Sequence, residues 1–192
     1  FRSNTAVGSD AWSPADFAHG TLSHAAAEEL ALLLREVEDT FAWPIQSMLN
    51  LIIFLGKHTG GERPIGLLSS IVRVQGRLRR GPLRRWGSTQ HRHWDSAIRG
   101  SSCLRAAIAR SCRCELAVLA GQDAAVGLWD VEKFYDSLQW EHICHGAMNM
   151  HYPVQDLALA IQIHLASRVL VADQNCSEVI TGFTRSILAG DG

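Results

Sequence analysis

The sequence predicts an α+β fold, and three observations carry that reading. Apolar runs at residues 51–55 and 65–68 flank a short polar turn that contains Gly60 and Gly61, the pattern of a β-hairpin. Leu30, Leu33, Leu34 and Val37 recur at helical spacing, with Glu28, Glu29, Arg35, Glu36 and Glu38 on the other face. A third apolar stretch, residues 124–129, runs straight into Asp130. It reads as a buried strand ending in a carboxylate where the sheet meets solvent, a place suited to a hard cation.

At 192 residues, 47% of them hydrophobic and 19% charged, the chain can bury a sizeable core as one domain or part of one. A formal net charge of -1 conceals a segregation: eleven arginines lie between Arg73 and Arg113, where Asp95 is the only acid. A local basic field of that kind favours an anionic partner despite a neutral total. The chain starts at Phe1 without an initiating Met and is read as a fragment. No leader-like segment or membrane-length apolar run is evident, so no membrane partner is expected. Five irregularly spaced cysteines argue against a secreted disulfide framework and for an intracellular location, nuclear or cytoplasmic.

Taken in order, residues 1–20 are small and polar and read as a poorly ordered lead-in; with the amphipathic helix at 22–40 they form a first segment, 1–40, ahead of the remainder, 41–192. Ser23 suits the helix N-cap, and Pro44 precedes a short helix at 45–50. In the hairpin, Pro64 needs an edge or bulge position. Lys57 and Arg63 stand on either side of the turn, where an ammonium and a forked guanidinium can grip a triphosphate without choosing among bases. They also suit plain solvated edge charges.

A helical pattern after Ser69 becomes the cluster Arg77, Arg79, Arg80, Arg84 and Arg85, with Gly81-Pro82 read as a break. Trp86 and Trp94, with His91 and His93 between them, interleave aromatics with this charge. Arginines release counterions from phosphates and aromatics stack on bases, so the region reads as a nucleic-acid-contacting surface. His91, His93 and the cysteines lack the paired, repeated spacing of a structural zinc site. Residues 96–119 read as a helix, 121–123 as a turn, 138–147 as a helix capped by Ser137, and 154–166 as another helix. Strands are expected at 169–172 and 179–183.

Three stretches together resemble the reverse transcriptases of non-LTR retrotransposons and group II introns. Asp130, Phe134, Tyr135 and Asp136 are similar to that family's motif A; the run 53–57 followed by Arg63-Pro64-Ile65 resembles its fingers hairpin; residues 184–190 resemble the opening of motif B. The resemblance implies a fingers hairpin, helices and an incomplete antiparallel palm sheet, truncated before the second carboxylate motif. It implies that Asp130, with the carbonyl of Val131, binds catalytic Mg2+, that Lys57 and Arg63 hold the triphosphate, that Tyr135 underlies the sugar and excludes a 2′ hydroxyl, and that Gly190 approaches the nucleotide. Ala189 stands where the family usually has Gln. The implied partners are an RNA template, a DNA primer and a deoxynucleoside triphosphate; the implied reaction is two-metal nucleotidyl transfer. The family's adjacent Asp-Asp pair is absent from these residues, so the chain by itself is expected to be inactive. Two other readings remain open: a non-catalytic retroelement remnant with a basic surface, and an unrelated α/β binding domain in which Asp130 caps a helix.

Overall fold

The computed structural model describes residues 6–17, 21–92, 95–96, 101–172 and 175–188. The chain forms two compact units, Phe1–Trp86 with Lys133–Gly192, and Gly87–Glu132.

The first unit is built on the hairpin. Strands β1 (Leu49–Gly56) and β2 (Glu62–Leu67) pair antiparallel, from Leu51 opposite Leu67 to Gly56 opposite Glu62. The turn closes through Lys57 N–H to Gly61 O at 3.0 Å and Gly60 N–H to Lys57 O at 3.1 Å. Gly60 and Gly61 adopt φ of +84° and +79°, a conformation that side chains disfavour and glycine takes freely. On the other edge of β1, β3 (Ser167–Ala172) runs parallel, and β4 (Asn175–Cys176) completes the order β2-β1-β3-β4. A parallel neighbour needs a long crossover, which the intervening helices provide.

The sheet is therefore mixed, and the α+β expectation holds at that level, but an antiparallel palm sheet is not what forms. Nor does a strand precede Asp130: residues 123–131 are irregular and exposed, with Leu128 at 81% and Trp129 at 95%. An apolar run becomes a strand only where a neighbour accepts its backbone hydrogen bonds, and no strand pairs with this one among the described residues. The strand expected at 169–172 forms within β3. That expected at 179–183 shrinks to one bridge, in which Ile180 and Arg168 exchange hydrogen bonds of 2.8 and 2.9 Å.

Helix α1 (His24–Thr40) starts at Ser23, whose hydroxyl accepts from Ala26 N–H at 3.2 Å, and buries Leu34 and Val37. They share the core with Ile52 of β1, Val169 of β3, and Leu159 and Ile163 of α6 (Val154–Leu165). Asn50 is fully buried and donates to Ile163 O at 2.7 Å. Gln162 donates to Phe41 O at 2.6 Å, and the Trp43 indole N–H donates to Leu159 O at 3.0 Å, which tie α6 to the connection between α1 and β1.

The lead-in is less irregular in its contacts than its composition suggests. A Cβ added at Gly8 would meet Leu68 O at 2.1 Å, so only glycine permits this close approach. Asp10 then caps α2 (Ser70–Gln90) from sixty residues away: one carboxylate oxygen accepts from Ser70 N–H at 2.6 Å and Ser69 Oγ–H at 2.8 Å. Helix α2 continues through Gly81-Pro82 rather than breaking there. The proline removes one helical N–H bond, but the helix is held on either side of it. Arg79 bonds Asp156 of α6, and Trp86 donates to Met150 O at 2.9 Å while meeting Tyr152 edge-on at 4.7 Å. Ser137 belongs to a single turn, α4 (Phe134–Ser137), and the N-cap of α5 (Trp140–Asn149) is Gln139.

In the second unit, α3 (Cys103–Leu119) is capped by Ser102, whose hydroxyl accepts from Arg105 N–H at 3.3 Å. It buries no residue; Leu104, Ile108, Leu116 and Leu119 are all more than half exposed. No described helix is long and apolar enough to cross a membrane.

Candidate functional site

The hairpin carries two exposed cations near its turn. Arg63 stands opposite Leu55 in the ladder, and Lys57 follows Gly56, the last residue of β1, at the start of the turn. Both are exposed. Their backbones are fixed by the ladder and the double-glycine turn, which leaves two positive groups at the tip of a defined ribbon. An ammonium and a guanidinium carried by one hairpin can neutralise a polyphosphate.

Asp130 and Val131 belong to the second unit, at the exposed end of the irregular stretch; Tyr135 belongs to the first, on α4. Lys133, at φ +52°, turns the chain sharply into α4. Tyr135 is half exposed and packs edge-on against Phe134 at 5.5 Å. Its carbonyl accepts the N–H of Ile187 at 3.0 Å, the carbonyl of Leu138 accepts that of Ser186 at 2.9 Å, and Gln139 bridges to Arg185. The segment after Asp130 is thus stitched to the segment that leads toward Gly190. Gly190 lies outside the described residues, as do His93 and Trp94.

Arg77, Arg79, Arg80, Arg84 and Arg85 all lie on α2 but divide by role. Arg77, Arg80, Arg84 and Arg85 are exposed. Arg79 is committed: its Nε and Nη2 donate to the two oxygens of Asp156 at 2.9 Å each, and Glu38 lies 3.9 Å from Nη1. Those hydrogen bonds, more than charge alone, raise the Arg79 pKa. Glu38 also accepts from Gln75.

Three residues that sequence reasoning passed over organise this unit. Asp156 lies nearly buried under α2. His164 accepts Leu188 N–H at Nδ1, 3.1 Å away, and stacks on Trp140; burial, assisted by Arg168, lowers its pKa. Arg168 donates to His164 O at 3.0 Å and Ser186 Oγ at 3.3 Å and lies 3.8 Å over the ring of Phe183. Burial lowers its pKa against the opposing charge of Asp136. Between α2 and α6 opens a cavity of about 430 Å³.

Among the described residues no three His, Cys, Asp or Glu side chains group together as a metal site. Asp130 with the Val131 carbonyl offers oxygen donors, which match magnesium in kind but not in the number two ions require. Compared with known protein families and with curated proteins, the chain matches none.

Proposed function

We propose that this chain is the fingers and the first palm segment of an RNA-directed DNA polymerase, in which Lys57 and Arg63 hold the triphosphate of an incoming deoxynucleotide. The observation that supports this reading is the hairpin itself, with Lys57 just past the end of one strand and Arg63 in the other, both exposed beside a double-glycine tip. Asp130 supplies one carboxylate toward magnesium, which when bound supplies charge neutralisation at the phosphates and activation of a primer hydroxyl. Lys57 and Arg63 bind and orient the phosphates, and Tyr135 bounds the sugar. No catalytic step is assigned to the chain alone, because its oxygen donors are too few for two ions.

Equilibrium binding of a deoxynucleoside triphosphate in magnesium tests this. Lys57→Ala and Arg63→Ala should each weaken binding by about tenfold, the loss of one charge-assisted contact, and the corresponding nucleoside should bind far more weakly. Equal affinity of both variants and the parent chain would refute the assignment.

A second reading, a non-catalytic retroelement remnant that binds nucleic acid, draws on the exposed arginines of α2. It predicts salt-dependent binding of a single-stranded oligonucleotide, weakened by Arg80→Gln and Arg84→Gln and indifferent to Lys57→Ala.

A further inference from the structure

Helix α3 carries an apolar stripe that the fold leaves uncovered. At about 100° per residue, Leu104, Ile108, Cys112, Leu116 and Leu119 fall within an arc of roughly 120° on one side of the helix. Leu104 is 70% exposed, Ile108 54%, Leu116 64% and Leu119 83%, and Cys112 is exposed with them. The partly covered residues of α3 are Ala106, Cys114 and Ala117, which lie on the opposite side. The helix thus shields its small residues and gives its large aliphatic ones to water, the reverse of what burial favours.

The stripe is nearly symmetric about Cys112: Ile108 and Leu116 stand four residues away on either side, Leu104 eight and Leu119 seven. Leu104, Ile108, Cys112 and Leu116 form one i, i+4 ridge, the kind that interdigitates in the commonest class of helix packing. Such a ridge is complementary to itself when two copies pair antiparallel about a two-fold axis at Cys112. Ile108 then meets Leu116 of the second copy, and Leu104 meets Leu119. The charged residues inside the arc are of opposite sign, Arg105 and Glu115. In this register Arg105 and Glu115 of the second copy are about 6 Å apart along the helix axis, against about 9 Å between the two Glu115 residues. Two attractive pairs therefore outweigh one more distant repulsion. One Glu115 oxygen accepts from Ser111 Oγ–H at 3.3 Å, and an ionised carboxylate keeps further acceptor sites.

We propose that α3 is a self-association site, on which a second copy of this chain docks antiparallel through Leu104, Ile108, Cys112, Leu116 and Leu119. The site does not rest on the polymerase function proposed above.

Sedimentation equilibrium of the 192-residue chain tests this, with circular dichroism to verify each fold. The chain should form a dimer. Because α3 buries no side chain, Ile108→Asp should leave the fold intact and weaken dimerisation by about tenfold or more. Arg105→Glu and Glu115→Arg should each weaken it by about threefold, and the two together should return it to the parent value. A short bismaleimide should join two copies through Cys112, and Cys112→Ser should abolish that product although Cys103, Cys114, Cys144 and Cys176 remain. A parent chain that stays monomeric would overturn the proposal, as would a dimer that Ile108→Asp leaves unchanged or a crosslink that survives Cys112→Ser. Combined charge reversal that fails to restore dimerisation would overturn the antiparallel docking.

Discussion

Arg79 and Asp156 face each other through two hydrogen bonds of 2.9 Å, joining α2 to α6 at a point where the sequence places a cluster of ostensibly solvated arginines. The side chain of Asp156 is 7% exposed and that of Arg79 25%. Such a pair gives modest net stability while intact but costs a great deal when one partner is removed, because the other charge remains desolvated. Asp156→Ala should therefore destabilise the chain by about 3 kcal/mol, read by urea denaturation. Arg84→Ala, on an exposed position of the same helix, should change stability by less than about 0.5 kcal/mol. Similar losses from both would show that the pair holds nothing.

Asp10 caps α2 across sixty residues, accepting from the first helical N–H groups at the positive end of the helix. Asp10→Ala should cost about 1–2 kcal/mol, and Asp10→Asn should recover part of it because an amide oxygen can still accept. Urea denaturation of both variants checks this. Equal stability of Asp10→Ala and the parent would mean that the lead-in contributes nothing to α2.

His164 makes the fold sensitive to acid. Its Nδ1 must stay unprotonated to accept from Leu188, and its folded-state pKa lies below the unfolded value of about 6.5. Between the two values the unfolded chain binds the extra proton, so this contribution is complete above about pH 6.5 and is lost as pH falls through the folded pKa. His164→Gln retains an acceptor but does not titrate. Between pH 7.5 and 5 the parent should lose stability relative to His164→Gln, by up to about 1.4 kcal/mol for each unit of pKa difference. Parallel pH profiles would contradict the role given to the imidazole.

The sequence made the hairpin legible because its signals are local: two apolar runs, a Gly-Gly turn and a helical repeat before it. Ser23 was equally readable as a cap, since capping depends on the next three residues. What escaped depended on distant partners. Asp10 looks like lead-in until Ser70 is placed beside it, and Pro82 looks like a helix breaker until Arg79 and Trp86 are seen to be held on either side of it. The run before Asp130 has the composition of a buried strand, but composition does not provide a neighbour for its backbone. In the candidate site, Lys57 and Arg63 were visible as residues, and the register sets Arg63 opposite Leu55, two residues before Lys57. Asp156, His164 and Arg168 were invisible because a single acid, imidazole or guanidinium in a helical or strand segment carries no spacing signal.

The most direct test of the polymerase reading is primer extension on an RNA template by the protein expressed from its complete reading frame, with deoxynucleoside triphosphates and Mg2+. The account predicts magnesium-dependent addition of deoxynucleotides that Asp130→Asn reduces by at least about a hundredfold, a loss of roughly 2.7 kcal/mol in barrier lowering. Absence of extension, or extension by Asp130→Asn at the parent's rate, would contradict it.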